Sequence, residues 1–224
     1  MSKVKDYSMF DIIGPNMIGP SSSHTAGACK LGRVAYKLAK GDVKRVVFYL
    51  HGSFAKTYRG HGTDKALLGG ILGFEADDER IIDSYRIAEE KGIEYRFEET
   101  DLGDFHPNTV KIQVQGEKNK LQVVGSSIGG GSIRITEIDG VELEFTGEFP
   151  TLIISHSDSP GVIAKVTSVL SEQNINIAFM RVYRNNKGKD AFMVIETDNI
   201  IEPEIIMHIK DIDKISNAYL VDII

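Results

Sequence analysis

The chain has 224 residues, 42% of them hydrophobic and 26% charged, a globular composition with enough apolar mass for one large domain or two ordinary ones. Its formal net charge is -6 and it has no run of Lys and Arg, so nucleic acid and anionic membranes, both held by basic patches, are not expected partners. The single cysteine, Cys29, excludes an intrachain disulfide, a Cys-rich zinc site and the usual ligand set of an iron–sulfur cluster.

The N-terminal residues do not lead into the apolar run of a signal peptide, and no apolar stretch reaches membrane-spanning length. A cytoplasmic location is therefore expected. A Gly, Pro and Ser-rich start gives way to a helix over residues 26–39, where Leu31, Val34, Ala35 and Leu38 share a face, and Gly41-Asp42 ends it. Residues 43–50, VKRVVFYL, are β-branched and aromatic and predict a strand that stops at His51-Gly52. After a turn at Gly60-His61-Gly62 come short helices over 65–72 and 81–91, the second closed by Gly92. Strands are predicted at 95–97, 110–114, 121–124, 133–138 and 141–145. Asp139-Gly140 joins the last two as a tight hairpin, and Gly129-Gly130-Gly131-Ser132 makes a turn or bulge. This is an α+β domain, placed at residues 1–147.

Composition shifts at Thr146-Gly147-Glu148-Phe149-Pro150, and a second domain is placed at 148–224. Its elements alternate: strand 151–155, helix 161–173, strands 175–182 and 191–196, helix 203–209, strand 218–221. That order, βαββαβ, predicts a ferredoxin-like module, with Asn185-Asn186-Lys187-Gly188 turning between its second and third strands. Its first βα turn, His156-Ser157-Asp158-Ser159-Pro160-Gly161, combines a pre-organised Pro, a permissive Gly and exposed amide groups that attract a carboxylate. Asn174-Ile175-Asn176-Ile177 offers side-chain amides at a strand entry. With this D-x-P-G-V-I turn and N-I-N-I, residues 149–224 resemble an ACT domain. The resemblance implies self-association through the sheets and, in many such domains, an amino acid bound between copies. His156, Asp158, Gly161 and Asn176 are the positions it implies for that ligand. Read without the resemblance, Asp158 is a helix N-cap and Asn176 a turn residue, with no ligand.

Two histidine-bearing stretches stand out in the first domain. In Gly19-Pro20-Ser21-Ser22-Ser23-His24-Thr25, hydroxyls sit beside the free N–H groups of a helix start and make an anion cradle. It lacks the Gly-Lys-Ser/Thr ending of a phosphate loop. In the second, HGSFAKTYRGHGTD at 51–64, His61 lies between two glycines and is expected on a loop, where an imidazole moves protons near neutral pH. The plainer readings are a capped helix start with His24 bonded to backbone, and a second cap at Thr63-Asp64. His51 then follows a strand as a structural residue, and His106 before Pro107-Asn108 is a turn residue.

Together, G-P-S-S-S-H-T and H-G-S-F-A-x-T-x-x-G-H-G-T-D are similar to the N-terminal domain of iron–sulfur L-serine dehydratases, and with the ACT module the match spans nearly the whole chain. This family's β portion resembles the allosteric substrate-binding domain of some phosphoglycerate dehydrogenases. Tyr58 departs from the pattern, since several relatives carry Gly there. The resemblance implies conversion of L-serine to pyruvate and ammonia, with a 4Fe-4S cluster on a partner α subunit acting as Lewis acid, and no metal on this chain. It further implies that Ser21, Ser22, Ser23 and Thr25 hold the substrate carboxylate, with His61 as first candidate for proton transfer and His24 as second. Two non-catalytic roles stay open: an amino-acid-sensing regulatory subunit, and a dimerisation scaffold.

Overall fold

A computed structural model describes residues 15–117, 119–184 and 188–222. The predicted turn at Asn185-Asn186-Lys187 and the N-terminal residues read for a signal peptide lie outside the described residues. The described chain divides into two compact units, one running to Arg134 and the other starting at Ile135.

The first unit opens with a π-helical segment, Ser22–Gly27, that runs directly into α1, Ala28–Leu38. Strand β1, Arg45–Leu50, leads to two helices in succession, α2 (Gly52–His61) and α3 (Thr63–Ile71). A 3-10 turn, Glu79–Asp83, precedes α4, Ser84–Glu90. The strands β2 (Glu94–Glu99), β3 (Thr109–Gln115) and β4 (Lys120–Gly129) complete it. They lie in the order β2-β1-β3-β4, with β1 parallel to β2 and antiparallel to β3. Val46, Phe48 and Leu50 alternate onto the buried face of β1, as a half-buried strand requires, and pack in a core with Leu31, Val34, Phe54, Leu67, Leu68 and Ile71.

α1 and α3 cross with their backbones in contact. A Cβ added at Gly70 would run into the carbonyl oxygen of Cys29, and one at Gly32 would run into that of Leu67. No other residue type fits at either position. This crossing holds the segment before α1 against the segment before α3, which are the two histidine-bearing stretches.

The second unit begins in β5, Ser132–Ile138, which forms a hairpin with β6, Val141–Phe145. Asp139 and Gly140, at φ 50° and 79°, make the left-handed turn expected of that pair. The hairpin is tied to the rest of the unit by a hydrogen bond from the Glu144 amide to the Tyr183 hydroxyl (2.9 Å) and by the Arg181–Glu144 ion pair (3.4 Å). Next come β7 (Thr151–Ser157), α5 (Val162–Glu172), β8 (Ile177–Arg184), β9 (Asp190–Thr197), α6 (Pro203–Lys210) and β10 (Ile215–Val221). The sheet order β10-β7-β9-β8 is that of a ferredoxin-like βαββαβ module. Leu152, Ile154, Met193 and Ile195 bury one sheet face against Val162, Val166 and Leu170 of α5 and Ile205 and Ile209 of α6.

Gly70→Ala is expected to destabilise the first unit by about 1–3 kcal/mol, the usual cost of overpacking. Thermal unfolding followed by circular dichroism checks this, and an unchanged midpoint would mean that the crossing relaxes freely.

Candidate functional site

Ser21 is the N-cap of the π-helical segment, with extended backbone, and its hydroxyl accepts the His24 amide at 3.3 Å. The segment carries His24 on a wide, rare helical turn of the kind often found at functional sites. Ser22, Ser23 and His24 are half-buried, whereas Thr25 is buried and its Oγ1 has no hydrogen-bond partner. Gly19 makes room for it, since a Cβ there would strike the Thr25 side chain. The capped helix start is therefore real, but among the described residues the His24 ring bonds to hydroxyls and not to backbone. Its Nε2 lies 3.1 Å from the Ser53 hydroxyl, and its Nδ1 lies 3.4 Å from that of Ser21.

His61 is not on a loop. It is the last residue of α2, and Gly62, left-handed at φ 70°, reverses the chain into α3. The expectation failed because three glycines (52, 60 and 62) mask a helix whose inward positions are Phe54 and Tyr58. Tyr58 accordingly occupies regular helix and stacks on Phe97, with ring centroids 6.0 Å apart, so it does not disturb the histidine's setting.

The helix end and the crossing of α1 with α3 bring the His61 and His24 rings to a centroid separation of 4.8 Å, and Phe54 meets His24 edge-on at 5.3 Å. Among the described residues His61 Nδ1 is buried without a hydrogen-bond partner. The His24 pKa is depressed below 6.5, first by burial and then by the neighbouring His61. Two close imidazoles of which one resists protonation, set beside hydroxyls and a helix start, can accept a proton and hold an anion.

The remaining first-unit histidines are structural. His51 Nδ1 accepts the Leu102 amide at 3.1 Å, and His106 Nδ1 accepts that of Asn108 at 3.1 Å. Asp64 starts α3, accepts the Lys65 amide and takes a 2.6 Å hydrogen bond from the Tyr85 hydroxyl.

The four positions implied for the ACT ligand are not gathered in one place. His156 is 3% exposed, its Nδ1 lies 2.8 Å from the Ser157 carbonyl oxygen, and its Nε2 is buried without a partner. Asp158 does not cap α5, because Gly161, at φ 89°, holds the N-cap position. Instead the Asp158 carboxylate accepts the Gly188 amide at 2.9 Å and Arg184 at 3.1 Å, and these bonds hold it below the usual carboxylate range. Asn176 lies at the opposite end of the sheet. The strand it leads into, β8, begins beside Thr197, while β7 ends beside Asp190. There Asn176 donates to Asp198.

Residues 8–90 match the family described as "Serine dehydratase beta chain", and residues 151–214 match the ACT domain. A "Probable L-serine dehydratase, beta chain" of Bacillus subtilis is 47% identical over 212 residues, covering 95% of this chain and 96% of that one. The chain belongs to the serine dehydratase beta chain family. The family's "L-serine dehydratase, beta chain" from Peptoniphilus asaccharolyticus is 42% identical over 97% of this chain and 99% of its own length. More distantly, the D-3-phosphoglycerate dehydrogenase of Bacillus subtilis is 29% identical over 88% of this chain, which matches 37% of that enzyme.

An iron–sulfur cluster does not suit the residues of this beta chain. Cys29 is buried, its thiol donates to the Phe74 carbonyl at 3.3 Å, and burial pushes its pKa up to about 12, far from the thiolate a metal needs. Among the described residues no three of His, Cys, Asp and Glu are grouped to hold a metal ion. No described helix is long and apolar enough to cross a membrane.

A histidine held neutral in the fold is protonated more readily in the unfolded chain, so acid favours unfolding. The penalty grows as pH falls through the ordinary value of 6.5 and levels off below the depressed folded value. Replacing His24 with Gln is expected to flatten the fall in stability between about pH 7 and about pH 5. Urea midpoints across that range check it, and parallel curves for the two proteins would refute it.

Proposed function

We propose that this chain is the β subunit of an L-serine dehydratase, and that it contributes the His24–His61 pair and the Ser21–Thr25 segment to an active site completed by an α subunit. The observation that carries this is the buried Nδ1 of His61, without a partner among the described residues, on a ring 4.8 Å from a second imidazole of lowered basicity. The beta-chain relatives name the substrate class.

The reaction breaks the Cα–H and Cβ–O bonds of L-serine, and the enamine then tautomerises and takes up water to give pyruvate and ammonia. In the proposed division of labour, hydroxyls of Ser21, Ser22, Ser23 and Thr25 and the amides of the helix start hold the carboxylate. His61 takes the α-proton. His24 stays neutral beside it, so a proton arriving on His61 meets no second positive charge. The 4Fe-4S cluster belongs to the α subunit in this reading, and Cys29 plays no part in it.

The second domain, 148–224 in this reading, associates with its counterpart in a second copy. An amino acid bound between copies would use His156, Asp158 and Gly161 of one chain and Asn176 of the other, because the two groups sit at opposite ends of one sheet. The bonds already made by Asp158 and Asn176 favour a second reading, in which the ACT domain only dimerises.

His61→Ala in the mixed α and β enzyme is expected to lower turnover by roughly two to four orders of magnitude, the usual share of a general base. Steady-state pyruvate release measures it. Turnover within a factor of about two of the parent enzyme would remove His61 from the chemistry.

A further inference from the structure

The Ser53 hydroxyl lies 3.1 Å from His24 Nε2, although helix formation and core packing place no demand for a serine there. We propose that Ser53 is a positioning residue, which fixes the His24 ring against His61; the idea rests on the histidine pair being part of the active site.

Ser53 is the second residue of α2, a helix whose N-cap, His51, makes no side-chain capping bond. The opening amides of the helix are satisfied from elsewhere: the Pro107 carbonyl accepts Ser53 N at 2.7 Å and Phe54 N at 3.3 Å. That approach requires Gly52, which sits at φ 58° and whose Cβ would fall 2.8 Å from Pro107 Cα. One turn on, the Thr57 hydroxyl donates to the Ser53 carbonyl at 2.8 Å. Backbone contacts on both sides therefore fix the serine before its hydroxyl meets the imidazole.

His24 needs such a partner. Its other nitrogen faces Ser21 at 3.4 Å, and the Ser21 oxygen already accepts the His24 amide. Phe54 touches the ring edge-on and supplies no polar contact. Of the two hydroxyl contacts, the one from Ser53 is the shorter, and it comes from the helix that ends in His61. A single rigid helix thus carries both the group that orients His24 and the histidine His24 is oriented against. A serine hydroxyl can donate to an acceptor nitrogen or accept from a donor one, so a hydroxyl fixed at Nε2 restrains the ring in either tautomer.

The test uses Ser53→Ala and Ser53→Thr, with circular dichroism to confirm folding. In the mixed α and β enzyme, Ser53→Ala should lower kcat roughly ten-fold, as loss of one oriented hydrogen bond does, with little change in KM. Ser53→Thr, which keeps the hydroxyl, should recover most of it. In the β chain alone, 15N NMR of the histidine side chains should show the His24 resonances and titration midpoint moving in Ser53→Ala and returning in Ser53→Thr. Unchanged His24 resonances in Ser53→Ala would overturn the proposal, as would an activity loss that threonine does not restore. His24→Ala and His61→Ala enzymes of undiminished activity would instead remove the histidine pair from catalysis, and the NMR arm would still report whether Ser53 orients His24.

Discussion

The candidate site depends on two glycines that face each other across a helix crossing. Gly32 of α1 and Gly70 of α3 let the backbones touch, and any side chain at either position would push the helices apart. Because His24 precedes α1 and His61 precedes α3, that separation would reach the imidazole pair directly. Centroids 4.8 Å apart leave little slack, as a shift of even about 1 Å changes which groups can share a proton. Positions with no side chain therefore set the chemistry of positions that have one.

Around that crossing the first unit carries several polar groups that a purely structural protein would satisfy. Thr25 Oγ1, His61 Nδ1, Thr63 Oγ1 and Ser127 Oγ are all buried without a hydrogen-bond partner among the described residues. Three of the four belong to the two histidine-bearing stretches. The well-satisfied histidines, His51 and His106, make the contrast plain, since each accepts a backbone amide and has a complete structural explanation.

Much of this was legible in the sequence. The ferredoxin-like module follows from its alternating elements, and the Asp139-Gly140 hairpin follows from turn chemistry. The histidine stretches drew notice through residue type and spacing. What failed did so for identifiable reasons. The glycines at 60 and 62 gave the end of α2 the look of a loop, although Gly62 serves a left-handed helix end, and Gly52 at its start serves a close backbone approach. Ser53 reads only as one residue of the stretch at 51–64, because nothing in the sequence singles it out until the fold brings His24 to it. Asp158 read as a cap because a cap is what an acidic residue before a helix usually is, and only the β8–β9 hairpin end, far along the chain, supplies its true partners. That Asn176 and Asp158 lie at opposite ends of one sheet is a matter of strand direction, which spacing alone does not give.

The central claim is that this chain supplies residues to an active site shared with a second subunit. The most direct measurement is pyruvate release from L-serine under anaerobic conditions, with this chain alone, the α subunit alone and the two co-expressed. The account predicts turnover in the mixture and none from either chain by itself. Full turnover from the α subunit alone would contradict it and leave this chain a regulator or scaffold.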